Sequence, residues 1–579
     1  MAFKSIINFI LFLSFSSIFS QTYITNVTIA DVEKQKLIHN QTVEITDEII
    51  SNIKGTKKFK IPENASVMDG SGKFLLPGLT DAHIHFFQSG GLYARPDAID
   101  LRKEMPYDKE IDLVHNSMET TLKRYLQVGV TNVIDVGASY SFLKQRENFE
   151  KNNLTPSIYM TGPLLTTYEP AVYKDLGDEK PFSLVETVED GVKMVQEQLA
   201  HDSDFIKIWY ITSRDPSEVE ASARKNLPVI KAIIDEAHKH DLKVAVHATQ
   251  RITAQLAVEN GCDFLVHSVD DEVVKDDFVA LLKKSNTILC PTLTVYDGYN
   301  KTFSQDLKFS NYDLLKADPN QLGTLLDLKH LADTLLVNNY KKSSSSKASK
   351  ARLKKTDSIS RINLKILADA GVLIATGTDA GNIGTLHAAS YLSELQAMKM
   401  SGLTNWQIIV ASTINGAKIL NKEEEFGSIS VGKKANLILL NSNPLEEIGH
   451  ITSIDKVINN GVVIEPDSIL KETPSALAQR QLNAYNLRNI DAFLEPYADD
   501  VEIYNYPNDL RFKGKETMRK GYATMFERTP NLHCELLGRI VQGNIVIDKE
   551  RVQFGEKVME AVAIYHIENN KIKKVYFIQ

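Results

Sequence analysis

From Gly78 to about Leu420, short apolar runs alternate with amphipathic stretches, and the alternation is sustained eight times. The strand-like runs fall at 79–85, 130–136, 157–161, 205–209, 243–247, 264–267, 288–293 and 373–378. Helical periodicity fills stretches such as 114–126, 185–199, 229–240, 252–259 and 277–284 between them. Strand–helix–strand repetition forces the strands parallel, so the pattern predicts an α/β domain, a (β/α)8 TIM barrel over 79–424. Barrels of this kind carry their chemistry at the carboxyl ends of the strands.

Residues able to hold a metal stand at those ends. The first strand finishes in His83-Ile84-His85, and alternation along a strand sends both imidazoles to the same face. The fifth finishes in His247, the sixth in His267, and the eighth in Gly377-Thr378-Asp379; the fourth carries Lys207. One His-x-His pair is weak on its own, but histidines placed for packing would not choose the same end of the barrel repeatedly. His201, His238, His240 and His450 lie in helices or loops and read as ordinary surface residues.

This ordered set resembles the metal-dependent amidohydrolase superfamily, in its imidazolonepropionase-like and prolidase-like branch, over roughly residues 22–465. The resemblance implies that His83, His85 and Asp379 bind one metal and His247 and His267 a second. It also implies that Lys207 is carboxylated and bridges the two. A lysine ammonium has donors and no lone pair, so only the carbamate formed with carbon dioxide ligates a cation. Two divalent ions would then be present, zinc by default from the ligand types, with iron or manganese suited to similar sets. The implied activity is hydrolysis of C–N bonds in amides, dipeptides or cyclic amides by a metal-bridged hydroxide. Asp379 would act as general base and then general acid toward the leaving nitrogen. A mononuclear deaminase or imidazolonepropionase-type hydrolase, or a non-catalytic ligand-binding protein, stand as alternatives.

The stretch after Lys207 reads Trp209-Tyr210-Ile211-Thr212-Ser213-Arg214 where prolidase-like members carry small residues and glycine. Dipeptide specificity does not follow from the sequence for that reason. Tyr210, Arg214 and Arg251 lie just past metal-bearing strands and are the substrate-contact candidates; an arginine there suits a substrate carboxylate.

Around the barrel the pattern is β-rich at 21–78 and again at 425–470, which predicts one composite β-sandwich assembled from both flanks. A connection near 296–361 is too long for a bare loop and reads as a helical insertion on the active-site face. Thr473-Pro474-Ser475 punctuates the chain, and 475–579 reads as an α+β unit resembling the SnoaL-like, NTF2-like cone. Tyr504, Tyr506, Tyr522 and Tyr565 are the residues that would line its pocket, and no acid–base pair stands out there.

Residues 1–20 have the form of a secretory signal peptide, with Lys4, an apolar 6–15 and a small-residue exit at 16–20, so an exported, periplasmic or secreted protein is expected. Three widely spaced cysteines make no disulfide framework. A net charge of −8 without a basic stripe excludes a nucleic-acid partner. The expected partner is a small amide or peptide-like substrate, with no membrane contact beyond the signal peptide and room for a homo-oligomer.

Overall fold

The computed structural model describes residues 21–578 apart from Asn64 and Arg214. The expected signal peptide lies outside the described residues. Among them, no helix is long and apolar enough to cross a membrane.

Two runs of parallel strands carry the central domain. Leu79–Ile84, Val130–Asp135 and Ser157–Met160 form the first. Ile206–Trp209, Val244–His247, Phe264–Val266 and Ile288–Cys290 form the second, extended at its edge by Leu164–Thr166 and Phe182–Leu184. Backbone hydrogen bonds join the runs at both ends. Asp204 N donates to Met160 O at 2.9 Å on one side. On the other, residues 373–379 lie between Ile288–Cys290 and Leu79–Ile84: Leu289 N donates to Leu373 O and Ala82 N to Thr376 O, each at 2.9 Å, and Asp379 N to His83 O at 2.7 Å.

The expected eighth strand is the one that departs from regular structure, being held by isolated bridges at Ile374 and Ala380 instead of a ladder. The reason is local. The carboxylate of buried Asp81 accepts from Thr378 N at 3.0 Å and Thr378 Oγ1 at 2.7 Å, so a side chain satisfies a backbone donor that a ladder would have used. The helices between the strands fall at their expected positions, most with longer bounds, whereas the one expected over 185–199 is the shorter Val188–Ala200; Tyr107–Gln127 and Val219–Lys239 are the longest of those expected.

The flanks hydrogen-bond into one continuous eight-stranded sheet. Phe74–Pro77 from the N-terminal flank pairs antiparallel with Leu437–Leu440 from the C-terminal flank, joining the two halves. Within the N-terminal flank, residues 36–55 form two strands, Lys36–Thr46 and Ile49–Gly55, divided at Asp47 with φ 53°.

The insertion is helical, comprising Val295–Ser304, Asn311–Lys316, Pro319–Thr324, Thr334–Ser345 and Lys347–Asp369. Its serine run is a junction between helices: Ser346 ends one and caps the next by accepting from Ser349 N.

The C-terminal unit packs helices Pro474–Asn486 and Lys515–Arg528 against a six-stranded sheet, ordered Asp509–Lys513, Tyr497–Asn505, Lys571–Ile578, Lys557–Glu568, Ile545–Phe554, His533–Gln542. It docks on the insertion. Asn483 Nδ2 donates to Pro319 O at 2.6 Å, and a side chain at Gly323 would meet Gln479 and Asn483 at under 3 Å. His330 and His533 share a 2.8 Å hydrogen bond across the same contact.

Candidate metal centre

The first strand brings His83 and His85 to the same side, each buried, with their Nε2 atoms 3.3 Å apart. Asp379 Oδ1 lies 3.1 Å from the first and 3.3 Å from the second. The His85 ring is oriented by Gly137 O, 2.9 Å from its Nδ1, which makes Nδ1 the donor and leaves the Nε2 lone pair facing Asp379. His83 Nδ1 is buried without a partner, so that ring engages polar groups only through Nε2. Asp135 organises the neighbouring backbone by accepting from Phe86 N and Gly137 N at 2.8 and 3.0 Å. Burial pushes its carboxyl up to about 7, opposed by His85.

His247 closes the strand Val244–His247, and His267 follows Phe264–Val266 in left-handed backbone at φ 74°. Asp379 is left-handed too, at φ 59°. Such backbone is uncommon for residues with a side chain, and here it sits at two residues lining one cavity. The His247 and His267 rings meet edge-on with centroids 4.4 Å apart, and His267 lies 5.0 Å from His83. His267 Nδ1 is 2.6 Å from Thr292 Oγ1.

Lys207 is 1 % exposed, lines the same cavity, and forms no hydrogen bond or ion pair among the described residues. Burial brings its amine down to about 7, against the pull of Asp379. Burial also holds His83 down at about 4 and keeps His247 and His267 well below the usual histidine range. For Asp379 burial works in the opposite direction and is outweighed by His83, His85 and His267, so its carboxyl stays ionised well below the ordinary range. The cavity is therefore lined by neutral imidazoles, a carboxylate and an amine near neutrality.

That donor set fits a divalent cation. A tetrahedral ion bound at about 2.1 Å has its ligands about 3.4 Å apart. The three atoms of His83, His85 and Asp379 stand at 3.1 to 3.3 Å. His83, His85, Lys207, His247, His267 and Asp379 all line one cavity of about 200 Å³.

Of the substrate-contact candidates, Tyr210 and Arg251 are not in that cavity. Tyr210 is 2 % exposed, and its hydroxyl donates to Ala223 O at 2.6 Å, so it packs in the core behind the strand. Arg251 opens the helix Arg251–Glu259 and is occupied by Glu272 at 2.5 Å and by Gln255. Arg214 lies outside the described residues. The walls are instead made by Phe87, Phe182 and Trp209, with Tyr296 and Tyr299 contributed by the insertion. Arg95 also reaches the cavity; Asp97 grips its guanidinium through two oxygens, and its Nη1 donates to Asn382 Oδ1 at 2.6 Å. Trp209 was legible, since it stands two residues after Lys207 on the same strand. Arg95, Asn382 and the two tyrosines sit on loops and an inserted helix, where no periodicity gives direction. A second cavity of about 520 Å³ shares His267 and Tyr296 with the first and is walled by Leu353, Asp357 and Arg361 of the insertion.

Residues 74–464 match the model of the amidohydrolase family, and 478–575 that of the SnoaL-like domain. An imidazolonepropionase of Alkaliphilus metalliredigens is 24% identical over 444 residues, 75% of this chain and 92% of that protein. An enamidase of Eubacterium barkeri is 23% identical over 257 residues, 43% of this chain and 57% of the relative. Among solved structures, a prolidase complexed with N-methylphosphonate-L-proline has a TM-score of 0.59 at 22% identity, covering 77% of this chain and 99% of that one. The ochratoxinase of A. niger has a TM-score of 0.58 at 19% identity, covering 77% and 96%. The central fold is thus shared with these solved structures.

Proposed function

The chain belongs to the amidohydrolase family and is a hydrolase acting on C–N bonds, and from that premise we propose an exported, binuclear metallohydrolase of small amides, dipeptides or cyclic amides. The fold that goes with this reading is a closed (β/α)8 barrel beside a composite β-sandwich, with an NTF2-like cone at the C-terminus. The observation that carries it is the convergence of His83, His85 and Asp379 with Lys207, His247 and His267 around one cavity.

His83, His85 and Asp379 would hold one ion, His247 and His267 the other, and a carboxylated Lys207 both. Bound there, two divalent cations, zinc by ligand type, supply Lewis acidity toward an acyl oxygen and lower the pKa of water. Lys207 suits carboxylation because only a neutral amine adds to carbon dioxide, releasing one proton, and burial brings this amine down to about 7. Asp379 takes the proton of the attacking water and returns it to the departing nitrogen. Asn382 fixes the carboxylate for that exchange through a 2.7 Å hydrogen bond to Oδ1. Phe87, Phe182 and Trp209 shield the reacting centre from bulk water.

The mononuclear alternative is disfavoured by Lys207, a buried amine with no ion pair whose placement a one-metal site would leave unexplained. Elemental analysis of purified wild type beside Lys207→Ala separates the readings. Two metals per chain in the wild type and one or none in the variant, with hydrolysis lost, is the expected result. A wild type without metal, or a variant with full metal and activity, overturns the mechanism. Screening the loaded enzyme against dipeptides, lactams and linear amides then assigns the substrate.

A further inference from the structure

We propose that the C-terminal unit holds a second binding site, for a small apolar amine anchored on Glu550. Its pocket, about 350 Å³, shares no lining residue with the metal cavity. That volume is within the range of small-molecule sites. Tyr485, Phe493, Tyr522, Phe554 and Phe577 supply most of the wall, and Met525 and Met559 add pliable apolar surface.

The polar groups inside are few and point one way. Tyr497 donates from its hydroxyl to Gln481 Oε1 at 3.2 Å, and Gln481 Nε2 donates to the Tyr565 oxygen at 3.0 Å. Tyr565 donates in turn to Glu550 Oε1 at 3.2 Å. Each member donates to the next, and the row ends on a carboxyl. Glu550 also meets the buried Cys534 thiol, but a carboxylate accepts at about four positions. Among the described residues no cation is bonded to it, and Arg539 acts on it only at a distance. The nearby Arg539 is committed to Asp548 through two 2.7 Å bonds, and Arg511 is exposed at the rim, where water screens it. Burial, with Asp548 close by, pushes the Glu550 carboxyl up to about 7.

A pocket of aromatic faces closing on an acid without a bonded cation lacks one thing, a positive charge carrying hydrogen-bond donors. An ammonium supplies both, bonding to Glu550 and lying against tyrosine faces, which attract cations. Neutral or anionic ligands of the same shape leave the acid unmatched.

Calorimetric titration of the full chain with phenethylamine, phenethyl alcohol and phenylacetate tests this. The amine is expected to bind most tightly, to weaken about tenfold or more in Glu550→Gln while the alcohol changes little, and to be excluded by Gly521→Leu. Gly521 lies on the helix Lys515–Arg528 and lines the pocket, and a Cβ there meets nothing within 4 Å, so a side chain added at this position starts in open pocket space. Equal affinity for amine and alcohol, no binding of the amine, an unchanged Glu550→Gln, or amine binding that survives Gly521→Leu would each overturn the proposal.

Discussion

Asn382 donates from Nδ2 to Asp379 Oδ1 at 2.7 Å while its own carbonyl accepts from Arg95 Nη1 at 2.6 Å and from the Tyr299 hydroxyl at 2.7 Å. The two donors fix which end of the amide faces the carboxylate, because only the NH2 group is left to do so. Asp379 is thereby oriented through a chain that starts on the loop after the first strand and on the inserted helix.

Asn382→Ala frees that carboxylate without removing a ligand. Groups that orient a ligand are worth about 10- to 100-fold in activity or metal affinity. The expected outcome in steady-state kinetics is a fall in kcat of that order with KM little changed. A fall in KM-type binding alone would place Asn382 on the substrate instead.

Gly377 lies under the first strand. A Cβ there would meet Cys290 Sγ at 2.4 Å and His83 Cβ and N at 2.7 and 2.8 Å. Backbone cannot yield as a side chain can, so Gly377→Ala displaces His83. Overpacking of this kind costs about 1–3 kcal/mol. Thermal unfolding should report that loss and elemental analysis a reduced metal content; full loading would show that the strand tolerates the shift.

Tyr210→Phe separates the core from the site. The variant loses one buried hydrogen bond to Ala223 O and should lose about 1 kcal/mol in urea unfolding. Metal content and kcat/KM should match the wild type. A selective rise in KM would return Tyr210 to the substrate.

The His330–His533 pair ties stability to pH. Burial, aided by His330 and Lys329, holds His533 down at about 3, against an unfolded histidine near 6.5. The unfolded chain therefore binds the extra proton between these values, and the stabilisation is full above pH 6.5 and lost as pH falls. Linkage gives about 2 kcal/mol between pH 8 and pH 5. In urea unfolding, wild type should lose that much more than His533→Gln over the same interval; parallel losses would show that the pair does not titrate on unfolding.

The six residues that line the candidate metal cavity were legible because their types are rare on apolar strands and they recur at one end of a repeating unit. The period-two rule had more to give. Lys207 and Trp209 share a face, so Tyr210 had to turn away, into the core where its hydroxyl meets Ala223 O. In the C-terminal unit the strand Ile545–Phe554 places Glu550 on the same face as Val552 and Phe554. Of the tyrosines expected in that pocket, Tyr522 and Tyr565 line it, whereas Tyr504 stacks on Tyr576 and Tyr506 is exposed. Arg95 and Asn382 had no such signal, since their directions depend on how loops cross the barrel mouth. The irregular eighth strand was hidden for a related reason: Asp81 captures Thr378 through a contact between residues 297 positions apart.

The joint between Phe74–Pro77 and Leu437–Leu440 has a bearing on how the molecule comes into being. A ribosome must deliver more than four hundred residues before that pairing can form, and Asp379 itself follows His83 by 296 positions (379 − 83). Contacts this distant in sequence are slow to close. A nascent chain shorter than 379 residues lacks Asp379, and one shorter than 437 lacks the strand that joins the two flanks. The cavity that these residues line is therefore complete only late in synthesis.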